Sequence, residues 1–214
     1  MKRQGGLALL ASLAIAIAAC GSDEKQEPSL SDKQGAEEIV LEVSDLPRGS
    51  TEAKKALVSR NCDPTAYYQS YASATARPFG FILPSGQQIL QTVGVFESPS
   101  QARKAFDEIT SKPARACVGA EMQKSMQVAA GGSGKLRFMP PPWSLPDETA
   151  RTMRLVVVSP LAAAEVQRTA ILQGRLLTSV TFISLNRSLG RDLWESVSRR
   201  SADRLDRVAS SVES

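Results

Sequence analysis

QQILQTVGVFESPSQARKAFDEI, residues 87–109, is the stretch on which the fold turns. Its first half is a strand. Ile89, Val93 and Val95 share one face, and Leu90 and Phe96 fall on the other. Ser98-Pro99-Ser100-Gln101 then forms a capping box with proline at the first helical position. Ala102, Ala105, Phe106 and Ile109 follow at i, i+3, i+4 and i+7, one apolar stripe that needs a sheet to cover it. Lys112-Pro113 marks the end of that helix.

Working back from Gln87, Pro84-Ser85-Gly86 is a turn and Phe79–Leu83 a partner strand, so the segment is a hairpin feeding a helix. Working forward, Cys117 falls on a short second turn of helix or a loop. From Gln123 to Leu185 the pattern is mainly strand. Met126, Val128 and Ala130 alternate, Gly131–Gly134 turns the chain, and Lys135–Met139 returns. Pro140–Trp143 is an extended loop, because proline cannot donate to a ladder. Thr152–Ser159, Val166–Leu172 and Leu176–Leu185 are three more strands, the last two joined at Gln173-Gly174.

The C-terminus returns to helix. Leu189, Leu193, Trp194, Val197, Leu205, Val208 and Val212 line one side. Glu195 with Arg199, and Asp203 with Arg207, stand four apart with the acid first, the favoured order on a solvated face. Upstream of the hairpin, Ile39–Val43 reads as a short strand and Leu46–Gly49 as a turn. Ser50 caps a short helix carrying Ala53, Ala56 and Leu57, and Asp63-Pro64 starts another, followed by Tyr67, Tyr68 and Tyr71. The sum is α+β: an antiparallel sheet of five to seven strands, with a helix at about 99–111 and a long C-terminal helix packed on it.

The first twenty residues concern location. Lys2 and Arg3 precede an uncharged apolar run of 13 residues, Leu7–Ala19. A spanning helix needs roughly 20 such residues, so the run has the length of a signal-peptide core. It ends Ile17-Ala18-Ala19-Cys20-Gly21, which matches the lipobox of bacterial lipoprotein precursors. Residues 1–19 are thus read as signal and Cys20 as the lipidated residue, palmitate or similar chains holding the protein at the extracytoplasmic face of the cell membrane. Two or three acyl chains anchor stably where one does not. Residues 20–38 have one large aliphatic side chain, Leu30, and read as a flexible tether with a reach of roughly 23 Å. Residues 39–214 make one domain.

The charges of the mature chain, 24 basic against 22 acidic, a formal +2, are spread along it and leave no nucleic-acid footprint. The chain has no histidine, which removes Ser-His-Asp and Cys-His catalysis and the commonest metal ligand. No metal or other cofactor is expected. Export places Cys62 and Cys117 in an oxidising compartment, so a disulfide is expected, two separate buried thiols being the alternative. Ser22–Lys25 fits Ser-x-x-Lys but lies in the tether. Gly131–Gly134 before Lys135 fails as a phosphate loop, with Ala129 where glycine is required and Leu136 where a hydroxyl must hold magnesium. Carboxylates such as Asp107, Glu108, Asp147 and Glu148 form no marked pair. Tyr67, Tyr71 and Trp143, aromatic with polar tips and set beside prolines, are the candidate ligand contacts; the plainer reading is that they cover the core.

Ser44–Gly49, Cys62, Val93–Ser98, the Ala102–Ile109 helix and Ala116-Cys117, followed by Val- and Thr-rich strands and a closing helix, together resemble a broad set of exported actinobacterial proteins. Those are similar in turn to the extracellular sensor domain of a mycobacterial Ser/Thr kinase. The resemblance spans about 44–212 and implies a cleft-bearing α+β module that binds an extracellular ligand. That sensor domain carries two disulfides, and this chain has cysteines for the first alone. The resulting expectation is a non-catalytic, membrane-anchored envelope protein that binds or senses a lipid, glycan or small molecule. A scaffold or assembly factor that binds another envelope protein is the alternative, and a carboxylate-dependent hydrolase a third reading.

Overall fold

A computed structural model describes residues 30–53, 72–130, 134–141, 145 and 148–212. The described strands are β1 (Thr51–Glu52), β2 (Ala72–Ile82), β3 (Gln88–Phe96), β4 (Lys135–Met139), β5 (Ala150–Val158), β6 (Ala163–Gln173) and β7 (Leu176–Leu185). They form one seven-stranded sheet, antiparallel at every pairing, in the order β1-β2-β3-β7-β6-β5-β4. The described helices are α1 (Leu30–Ile39), α2 (Pro99–Ile109), α3 (Lys112–Ala130) and α4 (Arg191–Val212).

Alternation along the strands assigns the helices to two faces. Val93 and Val95 of β3 point one way, with Ile171 and Leu176, onto Ala36 and Ile39 of α1 and Leu205 and Val208 of α4. Ile89, Val180 and Phe182 meet Trp194 and Val197 of α4 farther along the same face. Phe96, one residue on from Val95, points the other way, and with Ala170, Leu172 and Leu177 receives the α2 stripe of Ala102, Ala105, Phe106 and Ile109. Val118 and Met122 of α3 cover Met153, Leu155 and Val166 beside it. The architecture is α+β, with helices on both faces of one sheet and the long C-terminal helix packed against it.

Local chemistry explains the breaks. Ser98 Oγ accepts from Gln101 N at 3.3 Å and Pro99 opens α2. Only half of the capping box forms, because the Gln101 amide reaches Glu97 Oε2 at 3.1 Å instead of the Ser98 backbone. Gly174 turns β6 into β7 at φ 52°, a left-handed conformation that glycine adopts at little cost.

Five expectations are corrected. Lys112-Pro113 starts a helix: Ser111 Oγ accepts from Ala114 N at 3.2 Å, and proline is tolerated in a first turn, where its missing N–H has no helical partner. α3 continues to Ala130, so Cys117 lies inside it and Met126, Val128 and Ala130 are helical. Their alternation is only three residues deep in a segment of Ala, Glu, Met, Gln and Lys, all strong helix formers. The tether boundary at 38 is also displaced, since 30–39 is a helix on the domain with Ala36 and Ile39 fully buried. Ile39–Val43 is not a strand. After Ile39 the chain is held by the Gln91 side chain and turns through a short 3₁₀ segment, Val43–Asp45. Finally, Ser50 is no helix cap: its hydroxyl donates to Pro47 O at 2.7 Å, and Thr51–Glu52 pair with Ile82 and Phe81.

Candidate functional site

Cys20, Cys62, Tyr67, Tyr71 and Trp143 lie outside the described residues, as do Tyr68 and Asp147. Cys117 is half-buried on α3 and is not a free thiol. The site that the described residues do assemble is at the corner where α2 hands over to α3.

Its floor is set by β-register. Arg151 stands opposite Ala170, and Met153 opposite Arg168, so these four side chains share the face that α2 and α3 cover. Ile109 and Thr110 close one wall from the end of α2, and Arg115 closes another from the first turn of α3. Between them is a cavity of about 330 Å³. That is at the small end of the range for ligand pockets.

Three arginines from three elements converge there. Arg168 is only 6% exposed, and its Nε donates to Thr181 Oγ1 at 3.1 Å, which fixes the guanidinium from below. Arg151 donates from Nη1 to Asp107 Oδ1 at 2.9 Å and to Thr110 Oγ1 at 3.1 Å, and its guanidinium stacks 4.8 Å from the Phe106 ring centre. Arg115 makes no side-chain hydrogen bond or ion pair among the described residues. Among the described residues no carboxylate lines the cavity. Asp107, the partner of Arg151, is not among the described lining residues, and the ion pair is half exposed, 50% and 51% at the two side chains. The first turn of α3 is basic, with Lys112 and Arg115 and no acid. Cations there oppose the helix dipole, whose positive end favours anions. Local rules broken in this way are expected at functional positions.

The chemistry available is charge recognition. Among the described lining residues Thr110 is the one hydroxyl side chain from the α2–α3 corner, and none is a carboxylate. A second, larger hollow of about 640 Å³ lies on the outer side of α2. It is open, and Arg103, Lys104, Asp107 and Glu108 give it mixed charge, the make-up of an ordinary solvated surface. Asp107 is the wall between the two. Of the other carboxylates named from sequence, Glu148 is exposed. Among the described residues no group of three or more His, Cys, Asp or Glu is placed to hold a metal.

The α4 outer face is half as expected. Glu195 pairs with Arg199 at 2.7 Å and with Arg191 at 3.7 Å. Arg207, however, donates to the backbone oxygen of Asp203 at 3.3 Å and not to its carboxylate. Arg200 and Arg204 turn inward instead, Arg204 reaching Val40 O at 2.9 Å and Asp45 Oδ2 at 2.8 Å and Arg200 donating to Asp45 O.

Sequence reading passed over the arginine corner because its members are 36 and 17 residues apart. The one local signal is the basic first turn, Lys112 and Arg115, and it follows directly on a Lys-Pro step that ordinarily ends a helix.

No protein-family profile matches the chain, and no curated protein matches it. Among solved structures it is similar to the extracellular domain of PknH from Mycobacterium tuberculosis, with a TM-score of 0.46 and 11% identity over 82% of this chain and 95% of that one. Among the described residues no helix is long and apolar enough to cross a membrane.

Proposed function

We propose that the protein is a non-catalytic binding module of the cell envelope, anchored by lipid on Cys20, whose ligand occupies the cavity at the α2–α3 corner. The observation that carries this reading is the cavity itself. It has ligand-sized volume, and among the described residues cationic side chains from three separate elements line it. Cationic side chains that converge on a ligand-sized hollow suit a binding role. The anchor rests on the apolar run Leu7–Ala19 and the small residues before Cys20.

A protein partner is the second reading, favoured by one observation. Along the β4–β5 edge Phe138, Met139, Val158 and Leu161 are exposed, Leu161 at 78%. Exposed apolar side chains beside an open strand edge suit a docking partner.

Native mass spectrometry of the protein purified from its own envelope separates the two. The expected result is a co-purifying small molecule, held by the parent and lost from Arg115→Glu at unchanged thermal midpoint. A co-purifying protein released by Phe138→Asp, with no small molecule at all, would replace the first reading by the second.

A further inference from the structure

We propose that β4 is a docking strand, and that it takes as an eighth strand of the sheet an extended segment of another envelope protein in which acidic side chains alternate with apolar ones. This rests on the reading of the β4–β5 edge as a docking surface and names what docks there. It is independent of the ligand at the α2–α3 corner.

Position is the first argument. β4 ends the described sheet and pairs with β5 over five residues, from Lys135 opposite Val158 to Met139 opposite Arg154. An edge strand presents backbone donors and acceptors to which another chain can pair. This one is held from behind by α3. Gln123 donates from Nε2 to Gly134 O at 3.1 Å, just before the strand begins. Leu136 lies so close to Gly119 that a Cβ there would stand 2.6 Å from Leu136 Cδ2. A strand fixed in advance loses little entropy when another joins it.

Pattern is the second. Leu136 and Phe138 stand opposite Val157 and Leu155, on the face that α3 covers. Leu155 is fully buried there, but Phe138 is 54% exposed. A further strand along β4 would set a side chain beside Phe138 and cover it. Lys135 and Arg137 belong to the other face and are exposed. The third base on that face, Arg154, already pairs with Glu165 at 2.7 Å. An incoming strand therefore meets base, apolar, base, apolar in turn. It matches them with acids on one face and apolar side chains on the other.

The same charges decide against a second copy. In the two-fold antiparallel register that pairs all five residues of β4, Arg137 of one copy stands directly opposite Arg137 of the other. Moving the register toward Lys135 sets Lys135 against Arg137, and moving it the other way leaves only three pairs. Like charges directly opposite are destabilising. The two bases that keep copies apart thus select an acidic strand.

The full lipidated chain in phosphatidylcholine nanodiscs is titrated with two capped heptapeptides, following the amide resonances of Leu136, Arg137 and Phe138. One is Gly-Thr-Val-Glu-Val-Glu-Gly, whose antiparallel pairing sets glutamates against Arg137 and Lys135 and valines against Phe138 and Leu136. The other has lysine for both glutamates. The acidic peptide is expected to shift the three amides and the lysine peptide to leave them. Arg137→Glu is expected to weaken the acidic peptide about fivefold and to strengthen the lysine peptide by a similar factor, an exchange that loss of fold does not produce. Two further acidic peptides are N-methylated, one at both glutamates and the other at both valines. One is expected to bind and the other not, because alternate N–H groups face the ladder. Equal affinity for the acidic and lysine peptides would overturn the charge match. Binding of both N-methylated peptides would overturn strand pairing. Sedimentation of the parent as a dimer that Phe138→Asp dissociates would give the edge to a second copy. If no peptide binds, the docking strand falls; a co-purifying protein that Phe138→Asp still releases would then keep the surface as a docking site without strand addition.

Discussion

Gln91 replaces a strand with one side chain. It is buried in the middle of β3, where its Oε1 accepts from Leu41 N at 2.7 Å and its Nε2 donates to Thr178 Oγ1 at 3.1 Å and Ile39 O at 3.3 Å. The chain leaving α1 is thereby hydrogen-bonded as if to a ladder. Ser198 and Ser201 on α4 are the opposite case. Both are fully buried and neither hydroxyl has a hydrogen-bond partner. Ser210 on the same helix instead donates to Asp206 O at 3.0 Å. These contrasts predict substitutions to the same residue with effects of opposite sign. Gln91→Ala strands a buried N–H and carbonyl and should cost about 2–3 kcal/mol. Ser198→Ala removes an unmet hydroxyl and adds helix propensity, so it should stabilise by about 1 kcal/mol. Calorimetry of both against the parent should give midpoints lower by roughly 5–10 °C and higher by roughly 2–4 °C. A lower midpoint for Ser198→Ala would mean that its hydroxyl is satisfied after all.

Among the elements, α1 is a strap that composition hides. Its hold comes from Ala36 and Ile39 in the core and from Asp32, which pairs with Arg175 Nη2 at 2.7 Å and accepts from Ser73 Oγ at 2.8 Å. Arg204 then clamps the exit by donating to Glu38 O at 3.2 Å and Val40 O at 2.9 Å. None of these contacts is local, which is why a stretch with one large aliphatic residue before its final isoleucine read as tether. α2 and β3 were legible for the converse reason: their burial follows a period that can be counted along the chain. α3 fell between, because three alternating residues satisfied a strand period while its packing used Val118 and Met122, four apart. The arginine corner needed the β5–β6 register before it existed at all. The strap predicts that a chain begun at Val40 is less stable than one begun at Leu30. Full burial of Ile39 alone contributes about 1.5–3 kcal/mol, and the partly buried Asp32 pair adds to it. Urea unfolding should give a loss of about 3 kcal/mol. Equal midpoints for the two chains would return residues 30–39 to the tether.

For the whole molecule, the position of α1 decides which end faces the membrane if Cys20 carries the lipid. The ion pair of Asp32 with Arg175 ties the start of α1 to the β6–β7 turn. Only nine residues, 21–29, then separate the anchor from the domain, and even fully extended they span at most ~32 Å. β3 runs away from that end, Phe96 N bonding Arg175 O at 3.0 Å while Gln88 leads back to the turn at Gly86. Gly86 is therefore about 27 Å farther from the anchor than Gly174 is. The arginine corner lies nearer the anchored end: Ala170 precedes Gly174 by four residues of strand, roughly 13 Å. An anionic group at or just above the bilayer surface would be within its range, whereas a ligand held far from the membrane would not. The lipidated chain in nanodiscs containing a spin-labelled headgroup lipid should show this as distance-dependent broadening, strong at the Gly174 amide, intermediate at Ala170 and weak at Gly86. Cys20→Ala should abolish the gradient and leave the thermal midpoint unchanged, because the anchor lies ten residues before the first helical contact. A gradient of the opposite slope would place the β2–β3 turn at the membrane and turn the cavity away from it. A gradient that persists in Cys20→Ala would remove the lipid on that cysteine as the cause of attachment.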